Sequence, residues 1–235
     1  MTKICLIDGS GYIFRAFYAL PEMTAPNGTP VNAVYGVVMM FMRLLSKIDC
    51  DHAVVVFDAK RENFRNQIYK EYKTNRAEIP ELLIPQFEVI HEAVEALNLP
   101  WIAMEGYEAD DLIATYADKA VQKGWQAVVV SGDKDLMQLI GENVEFYDGM
   151  KDKFFTAKDV IEKFGVPPEK VVEVQALMGD KIDNIPGVPG IGPKTAAELI
   201  NKFGSLNNLL DNADKIEQVR RRDLIMQNKE QHEFL

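Results

Sequence analysis

The chain has 235 residues, 47% of them hydrophobic and 26% charged, with a formal net charge of −10. These values describe a globular protein large enough for one sizeable domain, with or without a smaller appendage, and exclude a disordered chain. No apolar stretch approaches a membrane span, Asp8 comes too early for a secretory leader, and Cys5 and Cys50 cannot make a disulfide framework, so a soluble, cytoplasmic protein is expected.

Lys3 to Ile7 reads as a buried strand ending at Asp8-Gly9-Ser10, followed by a helical run from Val31 to Lys47. A second buried strand, Ala53 to Phe57, ends at Asp58. Ile79-Pro80 opens a helical region through Phe87, Ile90, Val94 and Leu97. Gly106-Tyr107-Glu108-Ala109-Asp110-Asp111 then begins an amphipathic helix whose apolar face is Leu112, Ile113, Tyr116, Ala117 and Val121. Ala127 to Val130 is a third strand, ending at Ser131-Gly132-Asp133-Lys134-Asp135, and Val144 to Tyr147 and Phe154-Phe155 add further strands. From Thr156 the chain turns helical: Thr156 and Asp159 form a capping arrangement, and Gly165 to Pro168 separates one helix from another that ends near Met178. Short apolar runs alternating with helices imply an α/β fold with a mainly parallel central sheet, whose functional site lies beyond the carboxyl ends of its strands.

Asp8, Asp58 and Asp133 each stand in that place. One such residue is commonly a helix cap. Three, joined by Glu108, Asp110 and Asp111 at a helix start, imply a cleft of carboxylates that would repel one another without cations to hold them. Net acidity argues against a nucleic-acid partner only if the acids are spread evenly; gathered around metal, they leave a locally basic surface elsewhere. Such a surface is present in the sequence, where Lys60, Arg61, Arg65, Lys70, Lys73 and Arg76 alternate with Phe64, Tyr69 and Tyr72. Interleaved cations and aromatics suit a single-strand-binding groove, and equally a solvated helix. Gly179 to Ala196 contributes two more acids, Asp180 and Asp183, and a turn with Gly187, Gly190 and Gly192. Pro193 suits the first position of a helix whose N-terminus, with Lys194 and Thr195, can face a phosphate.

Taken together, Ile7 to Ser10, Phe57-Asp58-Ala59, Tyr72 to Arg76, Glu108 to Asp111, Ser131 to Asp135 and Gly179 to Ala197 resemble, in order and over nearly the whole chain, the motifs of the flap endonuclease family. They are most similar to the 5′→3′ exonuclease domains of bacterial DNA polymerase I. The resemblance implies a metal-dependent nuclease core over 1–175, with a helical arch at about 62–98, and a helical DNA-binding region over 176–235. The latter would contain a helix-three-turn-helix element around a glycine-rich hairpin at 185–204. It places the family's acidic positions on Asp8, Asp58, Glu108, Asp110, Asp111, Asp133, Asp135, Asp180 and Asp183, as holders of two Mg²⁺ or Mn²⁺ ions. It makes Lys73 and Arg76 the basic pair at the arch base, Tyr72 an aromatic beside the reacting nucleotide and Arg15 a substrate contact. Arg61, Arg65 and Lys70 would meet DNA from the arch, and the hairpin would grip duplex backbone with a potassium ion. Ile84-Pro85 departs from the family, which often has an arginine there. The implied protein is a monomer acting on DNA with a 5′ flap or 5′ end, in the bacterial cytoplasm beside the nucleoid, either the exonuclease domain of a larger polymerase or a standalone exonuclease. A DNA-structure-binding module without chemistry is the alternative. A complete acidic set argues against it, because binding alone gains nothing from negative charge near DNA.

Overall fold

The computed structural model describes residues 1–60 and 62–228. It divides into two compact units, one made of Met1–Gln67 with Ala77–Phe154, the other of Ile68–Arg76 with the chain from Phe155 onward.

The first unit is built on a six-stranded sheet in the order β3-β2-β1-β4-β5-β6. Its strands are β1 (Lys3–Asp8), β2 (His52–Val56), β3 (Trp101–Ile102), β4 (Gln126–Val130), β5 (Val144–Asp148) and β6 (Lys153–Phe155). β1 pairs in parallel with β2 on one side and β4 on the other, so that Ile7 lies between Val55 and Val130. Both faces are covered, which is why these strands are continuous apolar runs instead of alternating ones. The connections reverse direction between β1 and β4, and at such a switch point an open α/β sheet presents a crevice at its carboxyl edge.

α1 (Gly9–Ala19) and α2 (Asn32–Leu45) pack together against the sheet. The sequence gives no sign of α1, because Gly9-Ser10-Gly11 resembles a turn. One local feature and one tertiary feature make it a helix. Asp8 caps it through Gly11 N–H at 3.0 Å, and α2 approaches so closely that a Cβ on Gly36 would lie 2.7 Å from the Ala16 Cβ. β3 was also missed, being two residues long and defined only by its pairing with β2.

The expected arch segment holds α3 (Phe64–Ile68) and α4 (Gln86–Ala96), with turns and no α-helix across 69–85. α4 starts later than Ile79-Pro80 suggests, since Pro85 biases Ile84 away from helical backbone. Its start is fixed by buried Gln86, whose Oε1 accepts from Ala33 N–H at 2.8 Å and whose amide donates to Asn32 Oδ1 at 2.8 Å. α5 (Ala109–Gln122) completes this unit and packs on β1 and β4.

The second unit is helical: α6 (Ala157–Phe164), α7 (Val171–Met178), α8 (Pro193–Phe203), α9 (Leu206–Asp211) and α10 (Val219–Gln227). The Thr156/Asp159 capping box starts α6 as expected, and Gly165 ends it with a left-handed φ of 77°. Pro193 is the first residue of α8, also as expected. Among the described residues no helix is long and apolar enough to cross a membrane.

Candidate active site

At the carboxyl edge of the sheet, Asp8 is buried at 7% exposure. Its Oδ1 accepts from Gly11 N–H at 3.0 Å and its Oδ2 from the Ser131 hydroxyl at 2.7 Å. Burial pushes the Asp8 carboxyl up, the Gly11 and Ser131 donors pull it back, and the neighbouring charges of Asp58 and Asp133 push it up again. The sheet thus brings these strand-end acids within electrostatic reach of one another. Asp58 donates its N–H to Ser10 Oγ at 2.9 Å, while its Oδ1 accepts from Ala109 N–H at 2.8 Å. Asp58 therefore caps α5 from the end of another strand, just as Asp8 caps α1; the residues expected as site acids are also helix caps. Asp133 donates its N–H to Ser131 Oγ at 2.9 Å and accepts Asp135 N–H at 2.9 Å.

Glu108 is the N-cap residue of α5, with Asp110 and Asp111 in its first turn. Asp111 accepts from Glu108 N–H at 3.0 Å and, through both oxygens, from Arg65 at 2.8 and 2.7 Å. Glu108 accepts from the amide of buried Asn63 at 2.8 Å. The 63–65 segment is tied to this helix start from the other side as well, by Phe64 N–H to Gly106 O at 3.1 Å and by the Phe64 ring, 5.7 Å from that of Tyr107. Arg65, expected to meet DNA, has its guanidinium engaged by Asp111. Lys60 pairs with Glu105 at 2.6 Å, Arg15 and Lys70 are exposed, and Arg61 lies outside the described residues.

The second unit gathers Asp180, Asp183, Lys73, Arg76 and Tyr72. The 180–185 loop closes on itself through Asp180 N–H to Ile185 O at 2.9 Å and the reverse bond at 2.7 Å. The 71–76 segment is laced to it: Lys73 N–H reaches Asp183 O at 2.9 Å, the Asn75 amide reaches Lys181 O at 2.8 Å, and the Asn184 amide reaches Glu71 O at 2.8 Å. The Asp183 carboxylate pairs with Arg76, whose Nε lies at 3.1 Å, and with the Lys73 ammonium at 3.7 Å. Tyr72 is 6% exposed, and its ring carries the Lys73 ammonium 5.0 Å from the centroid.

In the glycine-rich turn the residues divide by role. A Cβ on Gly187 would come within 2.3 Å of Met178 O, and one on Gly179, at φ 70°, within 2.3 Å of Gly187 N, so the two backbones lie directly against each other. Gly190, Gly192 and Lys194 are exposed and Thr195 half-exposed around the start of α8.

The donor set fits hard divalent cations: the gathered groups are carboxylates, oxygen ligands of the kind Mg²⁺ and Mn²⁺ prefer, around a buried Asp8 whose neighbours share its charge. Among the described residues no three His, Cys, Asp or Glu side chains are placed so as to hold one metal ion together.

Two family models match the chain consecutively, the 5′-3′ exonuclease N-terminal resolvase-like domain over residues 3–165 and the 5′-3′ exonuclease C-terminal SAM fold over residues 166–235. The chain belongs to the 5′-3′ exonuclease family. Among its curated relatives in this family, it is 52% identical over 231 residues to DNA polymerase I of Rhizobium leguminosarum, covering 95% of this chain and 23% of that protein. It is 43% identical over 217 residues to the 5′-3′ exonuclease of Aquifex aeolicus (strain VF5), covering 92% of this chain and 75% of that one. The chain thus spans about a quarter of the DNA polymerase I relatives it matches, 23% in one case and 26% in another. The fold is shared with the T5 D15 protein co-crystallized with metal ions, at a TM-score of 0.84 and 23% identity, covering 99% of this chain and 87% of that one.

The family and the α/β fold with its mainly parallel sheet are those expected from the sequence. Ser131 and Asn63, which donate to the Asp8 and Glu108 carboxylates, and Ser10, which receives Asp58 N–H, were missed. The one signal was the mirrored arrangement of Asp8-Gly9-Ser10 and Ser131-Gly132-Asp133.

Proposed function

We propose that this chain is a structure-specific 5′→3′ exonuclease and 5′-flap endonuclease that hydrolyses DNA phosphodiesters to 5′-phosphate and 3′-hydroxyl ends. The observation that carries the reading is buried Asp8, within reach of the Asp58 and Asp133 charges at the sheet's switch point, in a chain of the 5′-3′ exonuclease family. Asp8, Asp58, Glu108, Asp110 and Asp111 would mainly hold one Mg²⁺ or Mn²⁺ ion, and Asp133, Asp135, Asp180 and Asp183 mainly a second. Nine acids exceed the first shell of two such ions, so some act through water or by orienting others. Bound there, the ions would supply a water activated for attack and charge stabilisation at the attacking and leaving oxygens.

The chain's own residues do the rest. Lys73 and Arg76 offset negative charge growing on the phosphate, and Tyr72 supports Lys73 from below. Arg15 and Lys70 are exposed cations able to meet DNA. Gly190, Gly192, Lys194 and Thr195 present the start of α8 to duplex backbone, where a potassium ion would fit between phosphate and turn. Removal of primers and repair intermediates is the corresponding role, as part of a longer protein with a polymerase domain.

The test is a 5′-labelled flap duplex incubated with the chain and Mg²⁺ or Mn²⁺. Release of the flap with a 5′ phosphate at the nick is expected. Binding without cleavage at any divalent-ion concentration would leave a DNA-structure-binding module instead.

A further inference from the structure

Ser131 lies at the end of β4 and is completely buried, at 0% exposure. Its main chain is anchored to β5 by the bond from its N–H to Tyr147 O at 3.2 Å. A serine hydroxyl has one proton to give and lone pairs to receive others. Here the oxygen receives Asp133 N–H at 2.9 Å, so its proton goes to Asp8 Oδ2 at 2.7 Å. One hydroxyl thereby fixes the carboxylate at the end of β1 and the backbone that carries Asp133. With Gly11 N–H on Oδ1 at 3.0 Å, both Asp8 oxygens are held in a set direction. Ser10 makes the corresponding acceptor contact for Asp58 N–H at 2.9 Å and lies nearer the surface. Ser131 thus connects the Asp8 carboxylate with the backbone that carries Asp133.

We propose that Ser131 is a positioning residue of the divalent-metal site, setting Asp8 and Asp133 in the relative orientation in which they hold an ion. The inference rests on the nuclease reading above and deepens it. Outer partners that orient ligands commonly influence metal affinity by about 10- to 100-fold, because a ligand free to rotate must be ordered again at each binding event. Ser131 touches neither DNA nor the reacting phosphate in this account. Its loss should therefore act on metal occupancy and little on turnover once metal saturates the site.

The test compares the wild-type chain with Ser131→Ala and Ser131→Cys, the latter keeping the side chain's size while giving up the strong O–H donor. Mn²⁺ binding is followed by electron paramagnetic resonance without DNA, and flap cleavage is measured across a Mg²⁺ titration. The expected result is a Mn²⁺ affinity lower by about 10- to 100-fold in both variants. The Mg²⁺ concentration for half-maximal cleavage should rise in parallel, with kcat at saturating Mg²⁺ close to wild type. If Ser131→Ala fails to fold, Ser131→Cys carries the comparison alone. Wild-type-like metal affinity in the folded variants overturns the proposal. So does a fall in melting temperature or kcat with an unchanged half-saturating Mg²⁺ concentration, since that marks packing alone. A wild-type chain that neither binds Mn²⁺ nor cleaves overturns the nuclease reading and this inference with it.

Discussion

Arg65 holds Asp111 by a two-pronged bond, Nη1 to Oδ2 at 2.8 Å and Nη2 to Oδ1 at 2.7 Å. Asp111 also accepts Glu108 N–H at 3.0 Å, so one carboxylate closes the first turn of α5 and anchors the 63–65 segment. The Phe64 ring, 4.6 Å from the guanidinium carbon, covers that pair. A cation placed here offsets repulsion among acids crowded at one helix start.

Arg65→Ala should lower stability by on the order of 1 kcal/mol, a modest figure because the two side chains are 33% and 21% exposed. Arg65→Lys should recover only part of the loss, since an ammonium cannot reproduce the planar fork. The urea midpoint measures both. An unchanged midpoint in Arg65→Ala would remove the pair from the account of how α5 is held.

The glycines of the 179–192 turn should respond unequally. Gly179→Ala and Gly187→Ala each force a Cβ to within 2.3 Å of backbone atoms, and the former also strains a φ of 70°. Each should destabilise the protein by about 2 to 3 kcal/mol, at the upper end of what local backbone strain costs. Gly192→Ala meets nothing within 4 Å and should leave the melting temperature nearly unchanged. Equal shifts in all three, read by calorimetry, would contradict the backbone-on-backbone packing.

Acid stability should depend on Asp152. Lys47, and next Tyr147 through its hydroxyl, hold this carboxyl down at about 2, below its ordinary 3.8. A depressed carboxyl stabilises the fold above its unfolded value and loses that contribution as pH falls through the folded one. Between pH 3.8 and about 2, Asp152→Asn should therefore show a shallower decline in melting temperature than wild type. Parallel curves across that window would mean that the Lys47 contact is not maintained in solution.

Removing one acid at the sheet edge should separate chemistry from binding. Asp133→Asn keeps the side chain's size and the DNA-contacting segments but gives up a carboxylate beside Asp8, so flap cleavage should fall by orders of magnitude while flap affinity persists. Electrophoretic mobility shifts run beside the cleavage assay decide it; undiminished turnover would take Asp133 out of the metal site.

Lys73 offers a cleaner separation than most catalytic candidates, because its φ is 56°. Glycine is at ease in that backbone region, whereas alanine is not. If the ammonium acts on the transition state, Lys73→Gly and Lys73→Ala should both lower kcat more than they raise KM. Activity preserved by glycine alone would show that the position serves the backbone.

The chain itself determined the sheet and the places of the acids. Strands buried on both faces must be apolar throughout, so β1, β2 and β4 stand out of the sequence, and the first charge after each, at Asp8, Asp58 and Asp133, marks the strand end. Capping is equally local, which is why Thr156, Asp159 and Pro193 were legible. α1 was not, because its turn-like start is helical only with α2 packed on it.

Tertiary structure decided the distant partners of three acids. Asp111 takes Arg65, 46 positions away; Asp183 takes Arg76, 107 positions away; Asp8 takes Ser131, 123 positions away. Periodicity and capping extend over a few residues, whereas a carboxylate chooses among all the donors that the folded chain brings within hydrogen-bond distance. The sequence could therefore mark Asp8, Asp58 and Asp133 at the strand ends, but only the fold could say what orients them.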